Sequence, residues 1–352
     1  MKFKSILFGC HKIIHWEYWP QWLVYAPIIP AYLYYAIKSK ALFFFNATNP
    51  TMENGGYLME SKYTIYKALP SYSIPVTALA TLGISFKEVL QLMHANNLHY
   101  PIICKPDIGG KGLGVEMIKN ETELLHYYTV SPISFLIQAY INYSNEVGIF
   151  YYRKPNEKNG FISGIVGKYN MEVVGNGSST LQQLIEATPR FYFQRNYLFK
   201  ILKDTLQTIV PVHATVVLST IGNHARGSMF KDMSFKITPQ LQYLIDDISK
   251  KYEGFYYGRY DIKFNSWEEL EAGKNFSIIE LNGAGSEPTH IYDPNNSIFK
   301  AWKVILQHWK ISYQIAAINV TLGATTFTIK EGLSLIKQQK QLNKKINTAF
   351  YM

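Results

Sequence analysis

The chain has 352 residues, enough for two or three lobes with cores of their own, and its 47% hydrophobic and 17% charged composition marks a globular protein. Its only cysteines are Cys10 and Cys104, which excludes a disulfide framework and a cysteine metal centre and fits a reducing compartment, the cytoplasm. The net charge of +10 sits at the two ends: residues 1–50 set five Lys against Glu17, and residues 297–352 set eight Lys against Glu331, so the near-neutral middle gives no sign of a nucleic-acid groove.

An aromatic segment runs from Trp16 to Ile37 and is broken by Pro20, Pro27 and Pro30. A spanning helix needs about 20 consecutive apolar residues, and the stretch from Trp22 to Ile37 falls short of that. It has no small-residue cleavage site, so it is not read as a signal peptide. Trp and Tyr favour the membrane–water interface, and Lys12, Lys38 and Lys40 flank the run. Residues 16–37 are therefore either a peripheral anchor at the inner face of a membrane, or a segment packed on the body or in a homo-oligomer contact.

Asn49–Gly56 reads as a turn-rich linker and Ser61–Leu69 as a short helix, with a strand starting at Ile74–Thr77. Phe86–Asn96 has helical spacing, and Ser85 with Glu88 three residues on forms a capping box. A helix is expected over Glu121–Tyr128 and a strand over Ser134–Tyr140. Further strands are expected at Glu146–Tyr152, Phe161–Tyr169, Val212–Leu218 and Phe235–Ile237, with helices near Thr180–Glu186 and Pro239–Tyr252. A last strand pair, Gly258–Phe264 and Ser277–Leu281, precedes an amphipathic helix over Ser297–Ile318. The pattern is α+β in two lobes.

Two stretches carry chemistry. In the first, the apolar strand Ile102–Cys104 ends in Lys105 and Pro106, and Gly109, Gly110, Lys111, Gly112 and Gly114 follow. Such a loop is either a plain glycine-rich turn or a cradle whose backbone N–H groups and lysine hold a polyphosphate. It has neither the Lys-Ser/Thr pair of a Walker A loop nor the glycine spacing of a dinucleotide fold. In the second, Asp261 is followed by Glu280 and Asn282. Glu280 and Asn282 are two apart and share a strand face, so three oxygen ligands from two strands suit Mg²⁺. Glu280 stands in an apolar run, and a buried carboxylate needs a metal or a cation. Between them, Arg226 in Gly222–Ser228 could neutralise a transferring phosphoryl group, and Lys168 is a further candidate phosphate contact.

With these residues in order, residues 58–295 resemble the ATP-grasp superfamily, in its carboxylate–amine ligase branch. Ile103-Cys-Lys-Pro106 is similar to the family's strand lysine on the nucleotide phosphates, and Gly109–Gly114 to the loop that folds over them. Gln138-Ala-Tyr-Ile141 resembles the hinge whose backbone reads the adenine edge, with Gln138 where Glu is frequent, and Glu146 resembles the acidic residue on the ribose hydroxyls. Asp261, Glu280 and Asn282 match the metal-binding Asp and Glu-x-Asn set. Val173–Ile185 looks like a segment of cyanophycin synthetase-like members, and Asn223–Ser228 like their Asn-x-x-x-Gly-Gly loop. The resemblance implies an ATP-grasp fold with an aromatic N-terminal segment (residues 1–57), two lobes clasping a nucleotide (58–141 and 142–295) and a basic helical tail (296–352). It also implies ATP with two Mg²⁺ or Mn²⁺ ions, catalytic roles for Arg226 and Lys168, and amide-bond formation between a small-molecule carboxylate and an amine through an acyl phosphate, with release of ADP. The alternatives within that resemblance are a D-alanine–D-alanine ligase in the strict sense and a membrane-tethered nucleotide-binding protein without ligase activity.

Overall fold

Prolines set the first helices. Pro20 precedes α1 (Gln21–Tyr25) and Pro30 lies in the first turn of α2 (Ile29–Lys38), where a missing N–H costs nothing. The computed structural model describes residues 8–9, 11–219 and 228–351. Ser61 caps α3 (Lys62–Ala68), and β1 (Thr77–Ala80) leads to α4 (Phe86–Ala95). The expected capping box is present: Glu88 N donates to Ser85 Oγ at 3.3 Å, and Ser85 N donates to Glu88 Oε2 at 2.7 Å. There follow β2 (Ile102–Pro106), β3 (Glu116–Ile118), α5 (Glu121–Val130), β4 (Phe135–Ala139), β5 (Asn145–Tyr152), β6 (Phe161–Tyr169) and β7 (Met171–Val174). Three short helices, α6 (Leu181–Ala187), α7 (Pro189–Tyr192) and α8 (Arg195–Ile201), precede β8 (Thr215–Ser219) and β9 (Met229–Asp232). The chain ends with α9 (Pro239–Lys251), β10 (Tyr257–Phe264), α10 (Trp267–Glu271), β11 (Phe276–Asn282), α11 (Ile298–Thr321) and α12 (Ile329–Tyr351). The architecture is α+β with antiparallel sheets, as the pattern predicts.

One expected strand is corrected. Phe235–Ile237 is not extended: Ser234–Lys236 is a 3₁₀ turn, and the strand lies upstream at Met229–Asp232. Thr238 caps α9, Pro239 starts it, and Phe235 is exposed, so the chain must turn there instead of entering a sheet.

The chain divides into two compact units. The first takes the described residues of Met1–Pro27, Val166–Met233 and Thr289–Trp302. In it β7 pairs with β8, the end of β6 pairs with β9, and Met171, Val173, Leu181, Ile185 and Leu198 form a core. The start of the aromatic segment is held there. Buried Trp16 donates from Nε1 to Asn296 O at 2.6 Å, and Glu17 pairs with Arg190 Nη2 at 2.6 Å.

The second unit takes Ile28–Ile165, Ser234–Pro288 and Lys303–Met352. One of its sheets has the order β1-β4-β2-β3, with Val89, Ile102, Cys104, Leu124, Tyr127 and Ile137 in the core beneath it. The other sets β10 between β11 and β5, with β6 beside β5. The inner face of α2 meets α11 through Ala36 and Ala316 and through Tyr35 stacked on Tyr313.

Asn49–Gly56, expected as a linker, is pinned into this unit. Fully buried Asn49 donates from Nδ2 to Gly55 O (3.0 Å) and Tyr257 O (2.8 Å), and its Oδ1 accepts from Tyr256 N (2.9 Å) and Tyr257 N (3.0 Å). Just past β11, Ala284 N and Gly285 N donate to Gly55 O and Gly56 O. A Cβ on Gly56 would lie 2.6 Å from Gly283 Cα, so the two backbones can approach this closely only without side chains. Asn49→Ala takes the side-chain acceptor away from Tyr256 N and Tyr257 N and the side-chain donor away from Tyr257 O, while Gly55 O keeps Ala284 N. It should cost about 3 kcal/mol, read as a lower urea midpoint with an unchanged slope, whereas an Asn49→Ala midpoint equal to that of the parent would mean that the bonds add nothing.

Candidate active site

Lys105 is the penultimate residue of β2, and Pro106, which closes the strand, has no N–H to extend the ladder. Its ammonium is buried and donates to Tyr66 Oη (2.7 Å), Gln138 Oε1 (2.9 Å) and Ile279 O (3.0 Å). The last acceptor exists because of a bulge. Asp261 is opposite Glu280 but Ile262 is opposite Ile278, so Ile279 is an extra residue in β11. Its carbonyl takes Lys105 and also the hydroxyl of Tyr66. Burial pushes the Lys105 ammonium down to about 8, with Glu280 opposing the shift.

The glycine loop is fixed at its ends and open at its tip. At the near end the Asp107 carboxylate accepts from Ser61 Oγ (3.1 Å) and Tyr63 N (2.9 Å), while Lys62 Nζ donates to Gly109 O. At the far end buried Gly114 donates from N to Tyr351 Oη (3.1 Å) and accepts at O from Tyr127 Oη (2.7 Å). A Cβ on Gly114 would lie 2.9 Å from Pro106 and 3.1 Å from the Phe350 ring. Gly109, Gly112 and Gly114 have φ of +139°, +69° and +66°, and Lys111 at +59° shares the left-handed region. Gly110 and Lys111, at the tip, are exposed. The end of α12 thus packs against this loop, with Ile346 fully buried.

The carboxylate set lies on one face of β10 and β11. Asp261 has Glu280 beside it on β11 and Gly148 beside it on β5, so no side chain crowds it from β5. Asn282 is two residues beyond Glu280 and opposite Arg259. Asp261 is buried, whereas Glu280 and Asn282 are half-buried, which is more open than the apolar flanks of Glu280 suggest. Arg259 grips Asp261 through Nε (2.9 Å) and Nη2 (3.3 Å), and its Nη1 donates to Glu287 O (3.2 Å). Among the described residues, Asn282 Nδ2 and Glu60 Oε2 are buried with no hydrogen-bond partner. Burial raises the Glu60 carboxyl, with Glu280 and Glu53 adding to the rise against its backbone hydrogen bond and Lys62.

Among the described residues no cluster of three His, Cys, Asp or Glu side chains could hold a metal. The set here is two carboxylates and an amide. Hard oxygen donors of that number fit a cation that keeps several waters, whereas the unpartnered Asn282 Nδ2 is a donor that calls for an acceptor.

The remaining residues fall in different places. Gln138 uses its side chain structurally, accepting from Lys105 and donating to Thr77 Oγ1 at 2.8 Å. Ile141 lies just past the end of β4, and Glu146 on β5 is opposite Lys263. Lys168 is on the part of β6 that belongs to the first unit. Arg226 and Asn223 lie outside the described residues. Tyr66, Asp107, Arg259 and Tyr351 went unnoticed in the sequence; of these only Arg259, two residues before Asp261 on one strand face, carried a readable signal.

No protein-family model matches the chain, and no curated protein matches it. Among solved structures it is similar to a bifunctional glutathione synthetase from Pasteurella multocida, at 15% identity and a TM-score of 0.42 over 72% of this chain and 36% of that one. It is similar to the VanG D-Ala:D-Ser ligase from Enterococcus faecalis at 14% identity and a TM-score of 0.42, over 72% of this chain and 61% of that one. For a D-alanine–D-alanine ligase from Bacillus anthracis the values are 13% and 0.40, over 74% and 67%. The chain therefore spans less than two thirds of the length of the first two. Likenesses of this size leave the reading of the site to its own residues.

Two expectations follow. Lys105 carries its charge below about 8 and loses it above, so affinity for an ATP analogue should fall as pH rises from about 7 to about 9; calorimetric titrations showing a flat profile would remove Lys105 from the phosphate site. Phe350→Ala should free the far end of the glycine loop, seen as loss of amide-exchange protection at Gly114 with the β2 amides unchanged. Unaltered protection at Gly114 would show that α12 does not hold it.

Proposed function

We propose that this chain is an ATP-dependent carboxylate–amine ligase that forms an amide through an acyl phosphate and releases ADP. The supporting observation is one connection within the second unit: Lys105, at the mouth of the glycine loop, bonds the carbonyl of Ile279, the residue next to Glu280 in the Asp261–Glu280–Asn282 face. The fit of strand lysine, glycine loop and carboxylate strand to the ATP-grasp pattern supports the same reading.

In this reading Lys105, on giving up one of its three internal acceptors, and the backbone of Gly109–Gly114 hold the nucleotide phosphates, the backbone at Gln138–Ile141 meets the adenine edge, and Glu146 takes the ribose hydroxyls. Asp261, Glu280 and Asn282 would hold Mg²⁺ or Mn²⁺, which would supply charge neutralisation at the phosphate oxygens. Arg259 holds the Asp261 carboxylate in place. A substrate carboxylate oxygen attacks the γ-phosphorus and ADP leaves; a neutral amine then attacks the acyl carbon, the amide C–N bond forms, and phosphate leaves with the C–O bond pair and takes up the proton that the amine nitrogen loses. Negative charge grows on oxygen in both steps, so fixed cations do the main catalytic work, Lys105 among them. The loop excludes water that would hydrolyse the acyl phosphate. Cytoplasmic ATP and a reduced Cys104 are consistent with one another in this proposal.

A coupled ADP-release screen over amino acids and short peptides, in Mg²⁺, tests it. Some acid–amine pair should release ADP in proportion to amide formed. Glu280→Gln should abolish that release by more than about a thousandfold while circular dichroism stays unchanged. Full turnover in Glu280→Gln would take that residue out of the site.

A further inference from the structure

The helix α2, Ile29–Lys38, is apolar on both sides, yet only one side is covered. Tyr35 and Ala36 face Tyr313 and Ala316 of α11. On the other side Ile29, Leu33 and Ile37 recur every four residues, which aligns them in one stripe. They are 40%, 44% and 77% exposed, and Tyr34 beside them is 58% exposed. A helix apolar all round belongs in a core or at a membrane. No helix among the described residues is long and apolar enough to cross a bilayer, so the stripe suits a surface-lying helix.

We infer that α2 docks on an anionic lipid bilayer, with Ile29, Leu33 and Ile37 in the headgroup–acyl boundary. Charge selects this occupant over a second copy of the chain. Residues 18–52 carry Lys38 and Lys40 and no carboxylate. Both lysines are exposed, and Lys38 closes the last turn of α2 with Nζ 5.8 Å from the Tyr34 ring centre and 5.4 Å from that of Tyr313. A lysine folded over two aromatic rings beside an apolar stripe can bury its stem and present its ammonium to lipid phosphate. Two identical faces bearing those lysines would repel in a symmetric pair. The structure also narrows the anchor expected over residues 16–37. Trp16, Val24, Ile28 and Ala36 are buried, and the lipid-facing positions of α2 are those of the stripe. This docking surface is independent of the ligase reading.

Flotation of the full chain with vesicles tests it. Phosphatidylcholine vesicles containing phosphatidylglycerol should carry the protein upward, pure phosphatidylcholine should carry less, and raised salt should weaken the anionic binding. The double substitution Leu33→Glu with Ile37→Glu changes only exposed positions. It should lower partitioning at least about tenfold while circular dichroism and the thermal midpoint stay as in the parent. Lys38→Gln with Lys40→Gln should remove the preference for phosphatidylglycerol. If the parent stays at the bottom with anionic vesicles, or the double Glu variant floats as well as the parent, the inference fails. It also fails if sedimentation velocity without lipid shows a dimer that the double Glu variant abolishes, because a second copy is then the occupant.

Discussion

A buried ammonium is the constraint on which the second unit depends. Removing a lysine charge from water costs several kcal/mol, and that cost is offset only when its donors meet well-placed acceptors. Lys105 finds its acceptors on α3 (Tyr66), β4 (Gln138) and β11 (Ile279). Gln138 passes the constraint on to β1 by donating to Thr77. One nitrogen therefore fixes a helix and strands of both sheets at the mouth of the glycine loop. No apolar contact would set their positions so narrowly, because dispersion tolerates sliding and hydrogen bonds at 2.7–3.0 Å do not.

The bulge at Ile279 makes that arrangement possible and performs a second task. With regular pairing continued from Ile262–Ile278, residue 279 would stand opposite Asp261, and Glu280 would point to the other face of the sheet. The extra residue shifts the register by one, which brings Glu280 and then Asn282 onto the face of Asp261. The same step turns the Ile279 carbonyl out of the ladder toward Lys105. Lys105 and the carboxylate face are thus adjusted by a single local feature, and neither can be displaced without disturbing the other.

What the sequence revealed follows from the range of each interaction. The capping box of Ser85 and Glu88, the strand Phe161–Tyr169 and the pair of strands holding Asp261 and Glu280 depend on neighbours a few residues away, and periodicity shows them. The shared face of Glu280 and Asn282 is of the same sort, since a strand alternates. Asn49 was illegible because its partners Tyr256 and Tyr257 are about two hundred residues distant, and a run of Asn, Pro and Gly reads as a turn whatever it is tied to. The bulge was illegible for a related reason, because it belongs to a pair of strands and to neither sequence alone. The wrongly expected strand at Phe235 came from a short apolar run, a length at which periodicity cannot outweigh a cap and a proline immediately after it.

The way the glycine loop is anchored limits how it could move. Its near end is tied through Asp107 to Ser61 and Tyr63, and its far end through Gly114 to Tyr127 and Tyr351. Closure over a ligand therefore cannot be a translation of the whole segment, which would break bonds at both ends. It has to be a rotation of the exposed tip about glycines already outside the ordinary backbone regions, Gly109 at +139° and Gly112 at +69°. Lys111, at the tip, holds a left-handed conformation that a non-glycine residue adopts at a cost, so a ligand that lets its backbone relax would favour the moved state. Anchorage at the ends and the left-handed backbone at the tip thus confine any change of the loop to its exposed middle.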